Sequence, residues 1–254
     1  MNRLLIALIL ALLIALPCLA QELPETLLRH DNFLVFDGHA GETITIDLES
    51  IPKASYLYGD DLLVEVIDPA SERPLRELVP VSSTVSLEYP VTMDGTHAVR
   101  LASGQNTVRA QIAGAPWALV AWKNVPINIS GAMSPLFFKV PAEIEEFSIS
   151  LSASVTGEAA EVTILGPDGD VVLNEVGDYD TPETLTVAVP EGADDAVWEL
   201  WITDPADDGL NLDDVQLYLA GRVPPFLSPN RDDVEVFAAG EQYQPDVIDV
   251  TVPV

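Results

Sequence analysis

The sequence predicts an all-β protein of two tandem antiparallel β-sandwich domains that follow a signal peptide. Three observations lead to this prediction. Apolar and polar residues alternate almost throughout the chain after residue 30, turn residues separate the alternating runs, and the pattern repeats in the second half. Alternation with a period of two is typical of strands that bury one face. The repeat has a period of about 100 residues, the length of one whole sandwich domain.

The first twenty residues have the composition of an export signal. Arg3 is their only charge, and an apolar run of Leu, Ile and Ala follows it. Cys18 and Ala20 place small residues at positions −3 and −1 of a cut before Gln21. The apolar run is shorter than the roughly 20 residues of a transmembrane helix, so we expect cleavage and export to the periplasm or the cell exterior. Because Cys18 is the only cysteine, the mature chain would have neither disulfides nor a catalytic thiol.

The chain is strongly acidic, with a formal net charge of −30. Residues 132–254 contain 26 acidic and 3 basic residues, so the second half carries most of this charge. Nucleic acids, anionic lipids and polyanionic glycans bind to basic patches, and the composition argues against all three partners. The excess of carboxylates is interpreted as a solvated surface, with cation binding as the alternative.

Five segments of the first half each have a counterpart in the second half, in the same order. The pairs are 36–48 with 138–151, 64–69 with 162–167, 86–90 with 186–190, 94–101 with 195–202, and 108–114 with 215–221. This order predicts a first module over 21–131, a second module over 132–226, and an acidic extension over 227–254 that could add one strand. We expect the modules to have equivalent strand order and separate cores, and 132–254 to fold alone.

The same segments resemble known bacterial modules. The aromatic opening strand, the turn into an alternating strand and the Asp-Pro or Gly-Pro strand ends resemble the pre-peptidase C-terminal domain, and the second copy is also similar to galactose-binding-like modules. The matching residues of that copy are Phe138, Val140, Pro141, Pro167, Asp168, Gly169, Trp198, Leu200, Pro224, Pro225 and Phe226. The resemblance implies a jelly-roll-like sandwich of the kind that accompanies secreted hydrolases. His97 departs from it, because an aromatic residue is usual there.

The motifs of common catalytic sites are missing from the sequence. Histidine occurs only as His30, His39 and His97, and no His-x-x-x-His, Gly-x-Ser-x-Gly or phosphate-loop motif is present. His97 aligns with Trp198 on the core-facing side of a strand, so we expect it to be structural. His30 and His39 could approach each other to form a base or a ligand pair. A hydrolase that uses carboxylates in an inter-domain cleft stays open as the alternative function, because acidic residues are abundant.

As a hypothesis for a site, calcium binding is better founded than a histidine pair. Calcium binds six to eight oxygens, often from loops between strands. The candidate ligands lie in one such loop: Asp204, Asp207, Asp208, Asp213 and Asp214. Asp168-Gly169-Asp170 is interpreted instead as a hairpin turn. We expect no other cofactor.

The tryptophans suggest a site for sugars. Trp201 has the opposite strand parity to Trp198 and is expected to face outward, where an aromatic ring can stack on a sugar. Trp117 and Trp122 are expected to pack between the modules, with sugar binding as the alternative. The sequence therefore predicts an exported, non-catalytic module protein that binds glycan, another extracytoplasmic protein or calcium, or has a structural role.

Overall fold

The structure, a computed structural model, describes residues 24–53, 59–153, 155–206 and 212–238. The predicted signal peptide, Asp207, Asp208 and most of the C-terminal extension lie outside the described residues. Within the described ranges, the chain forms sixteen strands, a 3-10 turn at Arg231–Asp233 and a short helix α1 at Val234–Ala238. None of the helices in these ranges has the length and apolar character of a membrane span.

The first half of the chain forms two antiparallel layers that share two long strands. Its strands are β1 (Leu28–Gly38), β2 (Thr43–Ile51), β3 (Leu62–Ile67), β4 (Leu75–Val79), β5 (Thr84–Pro90), β6 (Gly95–Ala113), β7 (Trp117–Val120) and β8 (Ile127–Ser130). The first part of β6 pairs with β1 and β3, and its second part pairs with β2. β1 also passes from one layer to the other, beside the point where β6 does so. Its register with β6 shifts at His30, which has a φ of 60°.

The second half forms two four-stranded layers. Its strands are β9 (Met133–Val140), β10 (Glu146–Ala153), β11 (Ala159–Leu165), β12 (Val171–Asp178), β13 (Glu183–Ala188), β14 (Ala196–Thr203), β15 (Asp214–Ala220) and β16 (Phe226–Leu227). One layer has the order β12–β11–β14–β9, and the other has the order β13–β10–β15–β8. This is the strand order of an eight-stranded jelly roll that begins at β8.

The two halves repeat the same pairings. The layer β4–β3–β6–β1 corresponds to β12–β11–β14–β9 of the second half. The layer β5–β2–β6 corresponds to β13–β10–β15, and the start of β1 extends it as β8 extends the other. Phe36 lies opposite His97 as Phe138 lies opposite Trp198. The prediction of an all-β, antiparallel, jelly-roll-like sandwich is confirmed.

One of the five sequence matches needs a shift of two residues. Tyr89 pairs with Ile44 in the first half, and Val187 pairs with Phe147 in the second. Tyr89 therefore corresponds to Val187 rather than to Val189. A shift of two leaves the same face of the strand buried, so alternation alone could not reveal it.

The halves do not have the separate cores expected from the repeat. Leu28 of β1 pairs with Ile129 of β8. This pairing joins one layer of each half into a single sheet that runs from β13 to β5. The other two layers meet through β7, β16 and a bridge between Phe137 and Ser228. One cluster of buried hydrophobic residues consequently runs through both halves. The domain boundary at residue 131 stays a prediction. It assigns β8 to the first module, whereas β8 pairs with β15 of the second jelly roll.

The start of the predicted C-terminal extension covers an outer face of the first half. Leu227 contributes to β16, which pairs with β7. Phe237 of α1 packs with Phe226, Phe33 and Val35 in a second small core outside the sheet. This segment thereby ties the second half of the chain to the first.

Candidate functional site

The outer face of the β13–β10–β15 layer presents a row of polar side chains. Phe147, Ile149 and Leu151 are buried in the core, so the alternate residues of β10 face outward. Ser150 lies opposite Thr184 on one neighbouring strand and opposite Tyr218 on the other. The hydroxyl oxygens of Ser150 and Thr184 are 2.8 Å apart and hydrogen-bonded.

A loop after β7 forms one wall over this row. The backbone N–H of Leu219 donates to the carbonyl oxygen of Ala121 over 2.9 Å, which places Trp122 and Lys123 beside β15. The backbone groups of Trp122 and Val125 hydrogen-bond each other in both directions, so the loop is a closed turn. The wall and the sheet enclose a groove of about 630 Å³, whose polar and aromatic lining includes Trp122, Lys123, Ser148, Ser150, Thr184 and Tyr218.

The groove lacks the negative charge that dominates the rest of the chain. Within the part of the chain that the structure describes, no acidic residue lines it, and Lys123 is its one charged lining residue. A cleft of about 610 Å³ beside Trp117 contains Asp233, and a crevice of about 560 Å³ contains Asp31, Asp60 and Asp61. Hydroxyl groups both donate and accept hydrogen bonds, and aromatic rings offer apolar faces. The groove, defined by these lining residues, therefore suits an uncharged ligand with many hydroxyl groups.

Trp201, the predicted ligand-binding residue, lies in a different place. It is half-buried on the outer side of β14, opposite Thr163, while Trp198 is fully buried. Its indole Nε1 is buried and has no hydrogen-bond partner among the described residues. Trp201 does not line the groove, and a ligand-binding role for it stays a prediction.

The other predicted aromatic residues divide between packing and the groove. Trp117 is buried, as expected for a residue that packs between the halves, and its backbone N–H donates to Asp233 over 3.2 Å. Trp122 is half-buried and lines the groove. Tyr218, Ser150 and Thr184 were not identified from the sequence. The only signal was their outward strand parity, which many other residues share.

Among the residues that the structure describes, the predicted calcium ligands separate into two groups. The Asp204 carboxylate accepts the N–H of Leu212 over 2.9 Å and so closes the loop after β14. Asp213 and Asp214 instead lie at the start of β15 beside Glu158, which sequence reasoning missed. One carboxylate oxygen from each of these three residues lies within 4.8 Å of the others.

Two basic residues of the first half contact this acidic group. Arg29 forms an ion pair with Asp214, and it also donates to the side chain of Gln105 over 2.8 Å. Lys53 forms an ion pair with Asp213. We call these five charged residues, Arg29, Lys53, Glu158, Asp213 and Asp214, the junction cluster, because they join the first half of the chain to the second.

The pKa values in the junction cluster follow from burial and from these contacts. Burial raises the pKa of Asp213, but hydrogen bonds from Lys53 and Ser130 outweigh it and hold the pKa below its ordinary value. Burial raises the pKa of Glu158 to about 7, against the hydrogen bond from the backbone N–H of Asp214, and the charges of Asp214 and Asp213 act in the same direction as burial. The junction cluster lines none of the three large cavities described above.

The histidines do not form the expected pair. His30 and His39 lie at opposite ends of β1. His39 is exposed, with its ring nitrogens 3.9 Å from Asp37 and 4.0 Å from Asp94. His97 is fully buried, in agreement with a structural role.

Comparison with known proteins identifies no family. No protein-family model matches the chain, and no curated protein matches it. Two similar solved structures, both 10% identical in sequence, are the M60 catalytic domain with two CBM51 domains from Clostridium perfringens ZmpB and the N-terminal tandem CBM22 domain from Paenibacillus barcinonensis Xyn10C. The first similarity covers 80% of this chain and 34% of the other, with a TM-score of 0.28. The second covers 75% and 79%, with a TM-score of 0.26. At these scores, neither similarity supports a conclusion about function.

Proposed function

We propose that this protein is an exported, non-catalytic module protein that binds an uncharged glycan in the groove. The observation that carries the proposal is the lining of that groove. Three aromatic residues, Trp122, Tyr218 and Phe226, and a row of hydroxyl groups line it, and no carboxylate of the described residues does, in a chain of net charge −30. Sugar rings have apolar faces that stack on aromatic rings, and their hydroxyl groups exchange hydrogen bonds with Ser and Thr.

The placement of the carboxylates favours binding over hydrolysis. Glycoside hydrolysis uses two carboxyl groups on either side of the scissile bond, and both must face the substrate. The described residues place no carboxyl group in the groove, and Asp213 and Asp214 of the junction cluster are paired with basic residues. Each converging carboxylate there already holds a structural hydrogen bond or ion pair, which supports a structural role for them.

Binding of neutral polysaccharides tests the proposed function. The mature chain should be retarded by at least one neutral polysaccharide in affinity electrophoresis, and by none of a set of polyanionic glycans. Tyr218→Ala should weaken this binding about fivefold or more, because loss of one stacked ring costs on the order of 1 kcal/mol. Calorimetric titration with the corresponding oligosaccharide measures the change.

Trp201→Ala is the matched control, because it removes an aromatic residue from an outer sheet face away from the groove. It should leave the affinity unchanged, provided that both variants retain the circular dichroism spectrum of the parent. If the Trp201 variant loses binding while the Tyr218 variant keeps it, the site lies on the other sheet. Absence of binding to every neutral glycan would contradict the proposed function.

A further inference from the structure

The junction cluster contains one more negative than positive group. Arg29 neutralises Asp214, and Lys53 neutralises Asp213. Among the described residues, no basic side chain lies within 4.0 Å of the Glu158 carboxylate. This carboxylate accepts a hydrogen bond from the backbone N–H of Asp214, at 2.5 Å.

The surplus charge lies where water cannot easily compensate it. Glu158 is 8% exposed, and the side chain of Asp214 is also 8% exposed. Oδ1 of Asp214 is buried and has no hydrogen-bond partner among the described residues, although its Oδ2 contacts Arg29. A buried charged oxygen without a partner is costly, so this atom indicates a missing positive group.

Carboxylate oxygens at this spacing match the ligands of a hard metal ion. The three carboxylates each offer an oxygen within 4.8 Å of the other two. Calcium binds carboxylates as single or paired ligands and tolerates irregular geometry. Both oxygens of Asp213 have hydrogen-bonding partners, Lys53 and Ser130, but each oxygen keeps a second lone pair.

We propose that Glu158, Asp213 and Asp214 bind one divalent cation of the calcium type, which balances the charge of the junction cluster. The ion would connect β15 and the segment before β11 next to Arg29 and Lys53 of the first half. Asp204 is outside this ligand set, because its carboxylate closes its own loop. The site is independent of the glycan groove.

A proton is the competing source of positive charge. The raised pKa of Glu158, about 7, means that acidification would neutralise the same carboxylate without a metal. The test is therefore made at pH 8.5, where Glu158 without a bound ion is ionised.

The melting temperature of the mature chain is measured with increasing CaCl2 against NaCl at equal ionic strength, after dialysis against a chelator. Calcium that binds only the folded protein should raise the melting temperature progressively, and calorimetric titration should give one site per chain. Glu158→Gln retains the shape and should abolish most of the calcium-dependent rise. Asp168→Asn, in an exposed hairpin turn, should leave it unchanged.

Asp213→Asn is a second variant, in case Glu158→Gln does not fold. Its side chain is 41% exposed, and we expect its calcium affinity to fall by tenfold or more. Two outcomes overturn the proposal: no effect of calcium beyond matched NaCl at pH 8.5, or a full effect in both folded variants. The second outcome would favour calcium binding by the other predicted ligands, Asp207 and Asp208.

Discussion

At the scale of single residues, His97 shows how a core position accommodates a polar ring. It occupies the place that Trp198 has in the second half, and it stacks on Phe36 with ring centroids 5.0 Å apart. Its Nδ1 is 3.0 Å from the carbonyl oxygen of Gly95, while its Nε2 is buried without a partner among the described residues. Burial lowers the pKa of His97, and the hydrogen bond with Gly95 and the charges of Asp68 and Asp37 only partly oppose this effect.

This lowered pKa makes stability depend on pH. Below about pH 6.5, the unfolded chain takes up a proton on His97 before the folded chain does, so folding stability should fall as the pH decreases. His97→Phe removes this contribution. Urea unfolding at pH 7.5 and pH 5.0 should show that the free energy of unfolding of the parent drops by about 1–2 kcal/mol more than that of the variant. Equal changes in both proteins would show that His97 is protonated in the folded state.

At the scale of elements, the start of β1 and the strand β8 form the junction between the two jelly rolls. Arg29 lies on this short paired segment, and its side chain is 7% exposed. Its ion pair with Asp214 joins residues that are 185 positions apart. A buried ion pair contributes little compared with apolar packing, but loss of one partner leaves an uncompensated charge.

Arg29→Met should therefore destabilise the fold by about 3–5 kcal/mol, since the buried Asp214 then keeps only Lys53, whose Nζ is 3.6 Å away and already paired with Asp213. Arg109→Met is the matched control, because Arg109 pairs with Glu49 over 2.9 Å and both side chains are about one-third exposed. Its cost should be about 1 kcal/mol or less. Denaturant unfolding of both variants measures the difference, and similar losses would contradict a special role for the junction.

At the scale of the whole molecule, the shared sheets and the continuous core predict joint unfolding. The mature chain should give a single calorimetric transition, with equal calorimetric and van't Hoff enthalpies. A fragment of residues 127–254, which keeps β8, should be more stable than residues 132–254, which lack the first strand of the second jelly roll. Two separate transitions in the mature chain would instead support independent modules divided near residue 131.

Alternation in the sequence identified several strands and their buried faces. Ile44, Ile46 and Leu48 are fully buried, as their spacing predicts, and Trp198, Leu200 and Ile202 are too. The repeat also identified equivalent positions in the two halves, as the pairings of His97 and Trp198 show. These properties are local, because side chains on a strand face alternate sides whatever the strand's neighbours are.

Only the tertiary structure decided which strands are neighbours and which polar residues meet. Alternation does not distinguish Ser150 and Tyr218, which share a groove, from Trp201, which lies on another sheet. Glu158 joins Asp214 across 56 positions, and Arg29 reaches it across 185. The first contact arises from packing within the second half, and the second arises where the sheets of the two halves join. Long-range pairing of this kind leaves no periodic signal in the sequence, since it depends on how whole strands pack.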